Sequence, residues 1–347
     1  MADGEWNEQR EQLLGLQISE LGLAIRGSRV ERLVDQLYNE LDGHGIRYKP
    51  GVYLSDQWGC PDGTPLIGVP FYLADPRLER IEAEMAMTVE DDAEAMRYLR
   101  HEAGHAFNYA FALYDRPEWS AIFGSFTRPY RDRYRANPFS RDHVRHILGW
   151  YAQKHPDEDF AETFAVWLTP GSKWREEYAG WGALHKLEYV DAVMRELADQ
   201  LPDSIEPSED DLPVEAMRYS LAEHYRDATE AVPLEDERQF DVDLRQIFVR
   251  AEDAPAGEPA HAFLHRHYRE VVIRIAFWTS EHPSIVRSLI DTLARRAELL
   301  QLRVGALDAA TLIELTAFAT AVVMMHRHTQ VMGRARGGAR ARSALVP

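Results

Sequence analysis

One cysteine, Cys60, stands in 347 residues. A single thiol excludes any disulfide within the chain and any zinc ribbon built from cysteines. Basic residues are also scarce, 39 Lys and Arg against 57 Asp and Glu, for a net charge of -18. That deficit disfavours nucleic acid or an anionic membrane as the main partner. The plain reading is a solvated acidic surface. No basic segment followed by an apolar run opens the sequence. No uncharged apolar stretch reaches the roughly 18 residues that span a bilayer. The nearest, Thr311–Met325, contains Glu314 and reads as a buried helix. These absences lead to the expectation of a cytoplasmic protein with no membrane and no nucleic-acid partner.

What is present is globular in composition, 45% hydrophobic and 28% charged. The first 85 residues look mixed. Gln17–Ile25 is strand-like, Arg29–Leu41 repeats Leu33, Leu37 and Leu41 at helical spacing, and Arg47–Ser55 alternates as a strand does. Leu66–Leu73 is apolar and β-branched but contains Pro70, which confines it to a sheet edge. Asp91–Tyr114 predicts a long helix whose Met96, Leu99, Ala103, Ala106, Phe107 and Ala110 face a core. Residues 115–148, rich in Arg, Pro and aromatics, read as an irregular excursion. A second helix is expected from Pro156 to the stop at Thr169-Pro170-Gly171, and a third over Leu184–Leu201. The acidic, proline-bearing stretch 202–213 reads as a linker. It divides an α+β domain at 1–201 from an all-α region at 214–332, and the Gly/Arg-rich tail at 333–347 is expected to be disordered.

The chemistry concentrates in His101-Glu102-Ala103-Gly104-His105. On a helix, residues four apart share a face, so two imidazoles can grip one ion with Glu102 beside them. The apolar residues of this helix lie on the opposite side, which turns the histidines toward a cleft. A catalytic zinc needs a third protein ligand and an open position for water. The spacing that would place that ligand as a histidine six residues on is ruled out by Asn108 and Phe111. The next candidates are Glu158 and Glu162, one turn apart and opposite the Phe160, Phe164 and Leu168 stripe. That pairing suits Glu158 as ligand and Glu162 as acceptor of a ligand histidine's free ring N–H. In isolation these two would be an ordinary acidic helix surface.

HEAGH followed about fifty residues on by EDFAETF resembles the gluzincin clan of metallopeptidases. The blocks LRHEAGH and YAQKHPDEDFAETFAVWL, with the Trp- and Tyr-rich stretch behind them, resemble the putative zinc-binding metallopeptidase family more closely. The resemblance covers about the first 200 residues. It implies a zincin-like fold with one Zn2+ per chain, held by His101, His105 and Glu158, with Glu102 as general base and a peptide or protein as substrate. Members often begin with a Cys-rich ribbon, which this chain lacks. Tyr151, seven residues before Glu158, occupies an offset at which some lethal-factor-type gluzincins carry a tyrosine, and it could stabilise an oxyanion.

Gly68, Val69 and Phe71, on the Leu66–Leu73 edge, are the expected substrate-binding residues, pairing an extended peptide as an added strand. His143, His146 and His155 could serve as alternative ligands or oxyanion contacts. His261 and His265 are again four apart, but Ala262 holds the base position. The C-terminal helices could serve oligomerisation or partner binding. The competing function is a non-catalytic, zinc-stabilised regulatory or protein-interaction module.

Overall fold

A computed structural model describes residues 3–85, 89–131, 134, 136–202, 213–225, 237–279, 283–305 and 308–342. It divides into two compact units, Met1–Asp227 and Ala228–Pro347.

The first unit is mostly helical: α1 (Asp3–Gly15), α2 (Arg29–Gly43), α3 (Pro76–Met85), α4 (Asp92–Ala110), α5 (Pro117–Phe123), α6 (Pro156–Leu168), α7 (Trp174–Glu177), α8 (Ala183–Leu197) and α9 (Leu221–His224). Among the described residues its sheet is small, pairing β1 (Gly51–Ser55) and β2 (Leu66–Pro70) in parallel. Gln17–Ile25, read as a strand, instead gives one isolated bridge and a 3-10 turn at Ile18–Glu20. Gly22, at φ 65°, bends the chain out of extension there. The excursion at 115–148 contains α5, which starts on Pro117 as proline permits at a first helical turn.

One boundary differs from the expectation. Residues 213–225 do not open the second region but pack on the first unit. Ile18 N–H donates to Tyr219 O at 3.2 Å, Leu221 N–H donates to Leu16 O at 2.9 Å, and Val214, Met217, Leu221 and Tyr225 join the first unit's core. The expected linker at 202–213 lies mostly outside the described residues.

The edge strand is corrected as well. The loop after β1 folds back so that Gly59 pairs with the outer side of β2. Gly68 N–H donates to Gly59 O at 2.7 Å and receives Gly59 N–H at 3.3 Å. The backbone groups expected to bind a peptide at Gly68 are therefore already used. Val69 and Phe71 are buried in the core, Phe71 within a 3-10 turn.

The second unit contains α10 (Asp241–Ile247), α11 (Ala260–Thr279), α12 (Pro283–Leu299) and α13 (Asp308–Arg342), with a two-stranded antiparallel pair at Val249–Arg250 and Leu302–Arg303. Helix α13 is continuous to Arg342, through part of the tail expected to be disordered. Residues 343–347 lie outside the described residues. Asp308–Met325 does reach the length and hydropathy of a membrane span, and only 22% of it is buried. The expectation of a buried helix fails because its buried residues, Thr311, Leu315, Ala319 and Val323, form a single stripe four apart.

The core that positions the site is the crossing of α4 and α6. Asp91 caps α4 by accepting from Glu94 N–H at 2.8 Å, while the Glu94 carboxylate accepts the Asp91 N–H at 3.4 Å. His155 caps α6 through its ring, with Pro156 at the first position. Gly104 of α4 faces the backbone of Ala161 in α6. A Cβ there would lie 2.7 Å from Ala161 Cα, so only glycine fits between Glu102 and His105.

Candidate metal centre

The crossing brings three side chains together. Glu158 Oε2 lies 3.0 Å from His101 Nε2 and 3.2 Å from His105 Nε2, and the two Nε2 atoms are 3.2 Å apart. Ligand atoms around a tetrahedral zinc, with bonds near 2.0–2.2 Å, stand roughly 3.3 Å from one another. The triangle thus has the dimensions of three corners of a zinc tetrahedron. Among the described residues, His101, His105 and Glu158 form the one group of three or more potential ligands close enough to share an ion.

Each imidazole is held from behind. His101 Nδ1 lies 3.0 Å from Glu162 Oε1, and Glu162 Oε2 accepts the Ile147 N–H at 2.9 Å. A ring that donates from Nδ1 keeps the Nε2 lone pair for a metal. His105 Nδ1 lies 2.9 Å from Asp157 Oδ2, though off the line of a straight hydrogen bond. Asp157 is itself fixed by Tyr109, whose hydroxyl donates to Oδ2 at 2.6 Å, and by Asn108, whose amide donates to Oδ1 at 2.7 Å. None of the three is assigned this supporting role by the sequence alone. Tyr109 was recoverable, because it follows His105 by four residues on the same helix face. Asp157 resembles any acid favoured in a first helical turn.

The ligands do not line an open cleft. His101, Glu102, His105 and Glu158 are all buried. Over them lie Tyr130 and Tyr151, from the excursion between α5 and α6. The Tyr130 hydroxyl donates to Glu158 Oε1, and the Tyr151 hydroxyl lies 3.5 Å from that of Tyr130 and accepts from Lys154 Nζ at 3.3 Å. The Tyr151 ring centroid is 5.6 Å from that of His101. Trp150, just before it, holds φ 53° without being glycine, a strained turn of the kind that clusters at sites with a positional demand.

The remaining histidines have other work. His146 Nε2 contacts Arg97 O at 3.0 Å and His155 Nε2 contacts Arg128 O at 2.7 Å. His143 lies 3.7 Å from Asp159, which is paired with Lys186 at 2.6 Å. Burial and Lys186 push His143 down to about 4.

Charge decides what the pocket wants. Four buried carboxylates (Glu102, Asp157, Glu158 and Glu162) face two imidazoles. Burial alone would strip the protons from the rings, yet Glu158 and Glu162 hold His101 up at about 9. His105 is raised well above its ordinary value, as Asp157 and Glu158 outweigh its burial. Glu158 is held far below the usual carboxylate range, against burial, by both rings. Burial lifts the Glu102 carboxyl. With both rings protonated the six groups sum to −4 + 2 = −2. With neutral rings and a divalent cation the sum is again −4 + 2 = −2. A zinc ion would therefore replace two protons at constant charge, in a site whose donor atoms, spacing and ring orientation all suit it.

No curated protein and no solved structure matches the chain. Residues 74–175, which carry α4 and α6, match the family described as putative zinc-binding metallo-peptidase.

Proposed function

We propose that the protein is a zinc-dependent hydrolase of the zincin type that cleaves peptide bonds. The observation that carries the reading is the convergence of His101, His105 and Glu158 at 3.0–3.2 Å, with Glu102 next to the first ligand on the same helix.

A zinc ion in that triangle would acidify a bound water and polarise the scissile carbonyl. Glu102, buried and with its affinity for protons raised, takes the proton of the attacking water and returns it to the departing nitrogen. Glu162 and Asp157 keep the two imidazoles oriented. Tyr151, with Lys154 donating to its hydroxyl, supplies a hydrogen bond to the developing oxyanion from the rim of the site.

Glu102→Gln tests this directly. It preserves size and metal binding but cannot accept a proton. Proteome-wide profiling of new N-termini should show cleavages with wild type and none with the variant, at equal zinc content. Equal cleavage by both would end the assignment of Glu102 as base. A zinc-loaded wild type with no cleavage at all would favour the non-catalytic module.

A further inference from the structure

Glu158 is the ligand with a choice, since a carboxylate can bind a metal through one oxygen or through both. Its two oxygens are treated differently here. Oε2 faces the two Nε2 atoms at 3.0 and 3.2 Å, whereas Oε1 accepts the hydrogen bond of Tyr130. Glu158 is 4% exposed, so an oxygen left without a partner at that depth would be costly. Tyr130 is placed from the solvent side, 53% exposed, with Lys154 Nζ 4.3 Å from its ring centroid and the His155 ring at 5.3 Å. The phenol reaches the rim of the ligand triangle without being part of the packed core.

We propose that Tyr130 is a positioning residue that ties up Oε1 and holds Glu158 to ligation through one oxygen, so that a bound metal keeps a position open for water and substrate. This rests on the metal-site reading above. Without the phenol, Oε1 is free to swing onto the metal, raising its coordination number and closing the position that a hydrolase needs. The side chain acts through Glu158 and not on the substrate.

Cobalt(II) is the probe, because its visible absorption is intense in four-coordinate sites and weak in five- or six-coordinate ones. The full chain is loaded with cobalt as wild type, Tyr130→Phe and Tyr134→Phe. Tyr134 is on the same segment, but its hydroxyl donates to Gly149 O at 2.6 Å. Wild type and Tyr134→Phe should give the intense spectrum. Tyr130→Phe should lose most of that intensity and bind zinc about tenfold more weakly, the usual cost of removing a group that supports a ligand. An intense, unshifted spectrum for Tyr130→Phe would overturn the inference. A wild type that takes up no more cobalt than His101→Ala would instead remove the metal site, and the proposal with it.

Discussion

Helices α6 and α13 invert the ordinary rule of burial in opposite directions. Every residue of α6 is buried, including Asp157, Glu158, Asp159 and Glu162. The apolar stretch of α13 exposes most of its surface, with Ile313 at 68% and Met324 at 48%. Burying a carboxylate costs several kcal/mol unless a partner compensates it. An exposed isoleucine costs little, since much of any protein surface is apolar. The buried acids of α6 therefore demand an explanation that the exposed face of α13 does not. Each acid has one: Glu158 faces two imidazoles, Glu162 and Asp157 back one ring each, and Asp159 meets Lys186. Asp159 still sits near 7, where burial outweighs the pull of the lysine.

Substitutions should fall in the order that this contrast sets. His101→Ala leaves Glu158 and Glu162 buried without their shared partner. It should abolish stoichiometric zinc, read by elemental analysis, and cost about 3 kcal/mol or more in denaturant unfolding of the metal-free protein. Full zinc content would remove His101 from the site. Gly104→Ala drives a methyl into the Ala161 backbone and should cost about 1–3 kcal/mol while loosening zinc binding, because the crossing sets the ligand triangle. Unchanged stability would mean the helices can part without consequence.

Asp157→Asn and Glu162→Gln should each weaken zinc affinity by about 10–100-fold with little loss of fold. Competition with a chromophoric chelator measures this. If only one of the two weakens binding, the symmetry of support behind the two rings is false. At the other end of the comparison, Ile313→Ser should change stability by no more than about 0.5 kcal/mol. A large loss would show that this face is covered in solution.

The pairing of His101 with His105 was legible because helical periodicity converts spacing into geometry, and Glu158 joined them through the family resemblance. His101 and His105 are four apart, as are Glu158 and Glu162, and both pairs lie on strongly helical segments. The groups behind the rings were half legible. Glu162 was reachable from the same face rule, but Asp157 depends on how α4 crosses α6, which no sequence spacing encodes. Tyr130 was invisible, since the segment that carries it has no period to read. The peptide-binding edge was misjudged for the same reason. Gly59 comes from a loop, and no local pattern announces that it will pair with Gly68. The segment 213–225 was misplaced because an acidic, proline-bearing stretch before it outweighed the apolar spacing of Met217, Leu221 and Tyr225.

The raised imidazoles also give the protein a pH dependence. The His101 pKa lies above its unfolded value of about 6.5, at about 9, and His105 is likewise raised well above that unfolded value. In the metal-free protein, the stability these rings contribute is fully present below about pH 6.5 and is lost as pH rises through 9. Zinc affinity should run the other way, strengthening from pH 6 to 9 as protons leave the rings. The most direct test is calorimetric titration of zinc into the metal-free protein at pH 7 in buffers of different ionisation enthalpy. Release of close to two protons per zinc is the predicted result. Release of none would show that the imidazoles are already neutral, and that a pair of protons does not stand where the metal is to bind.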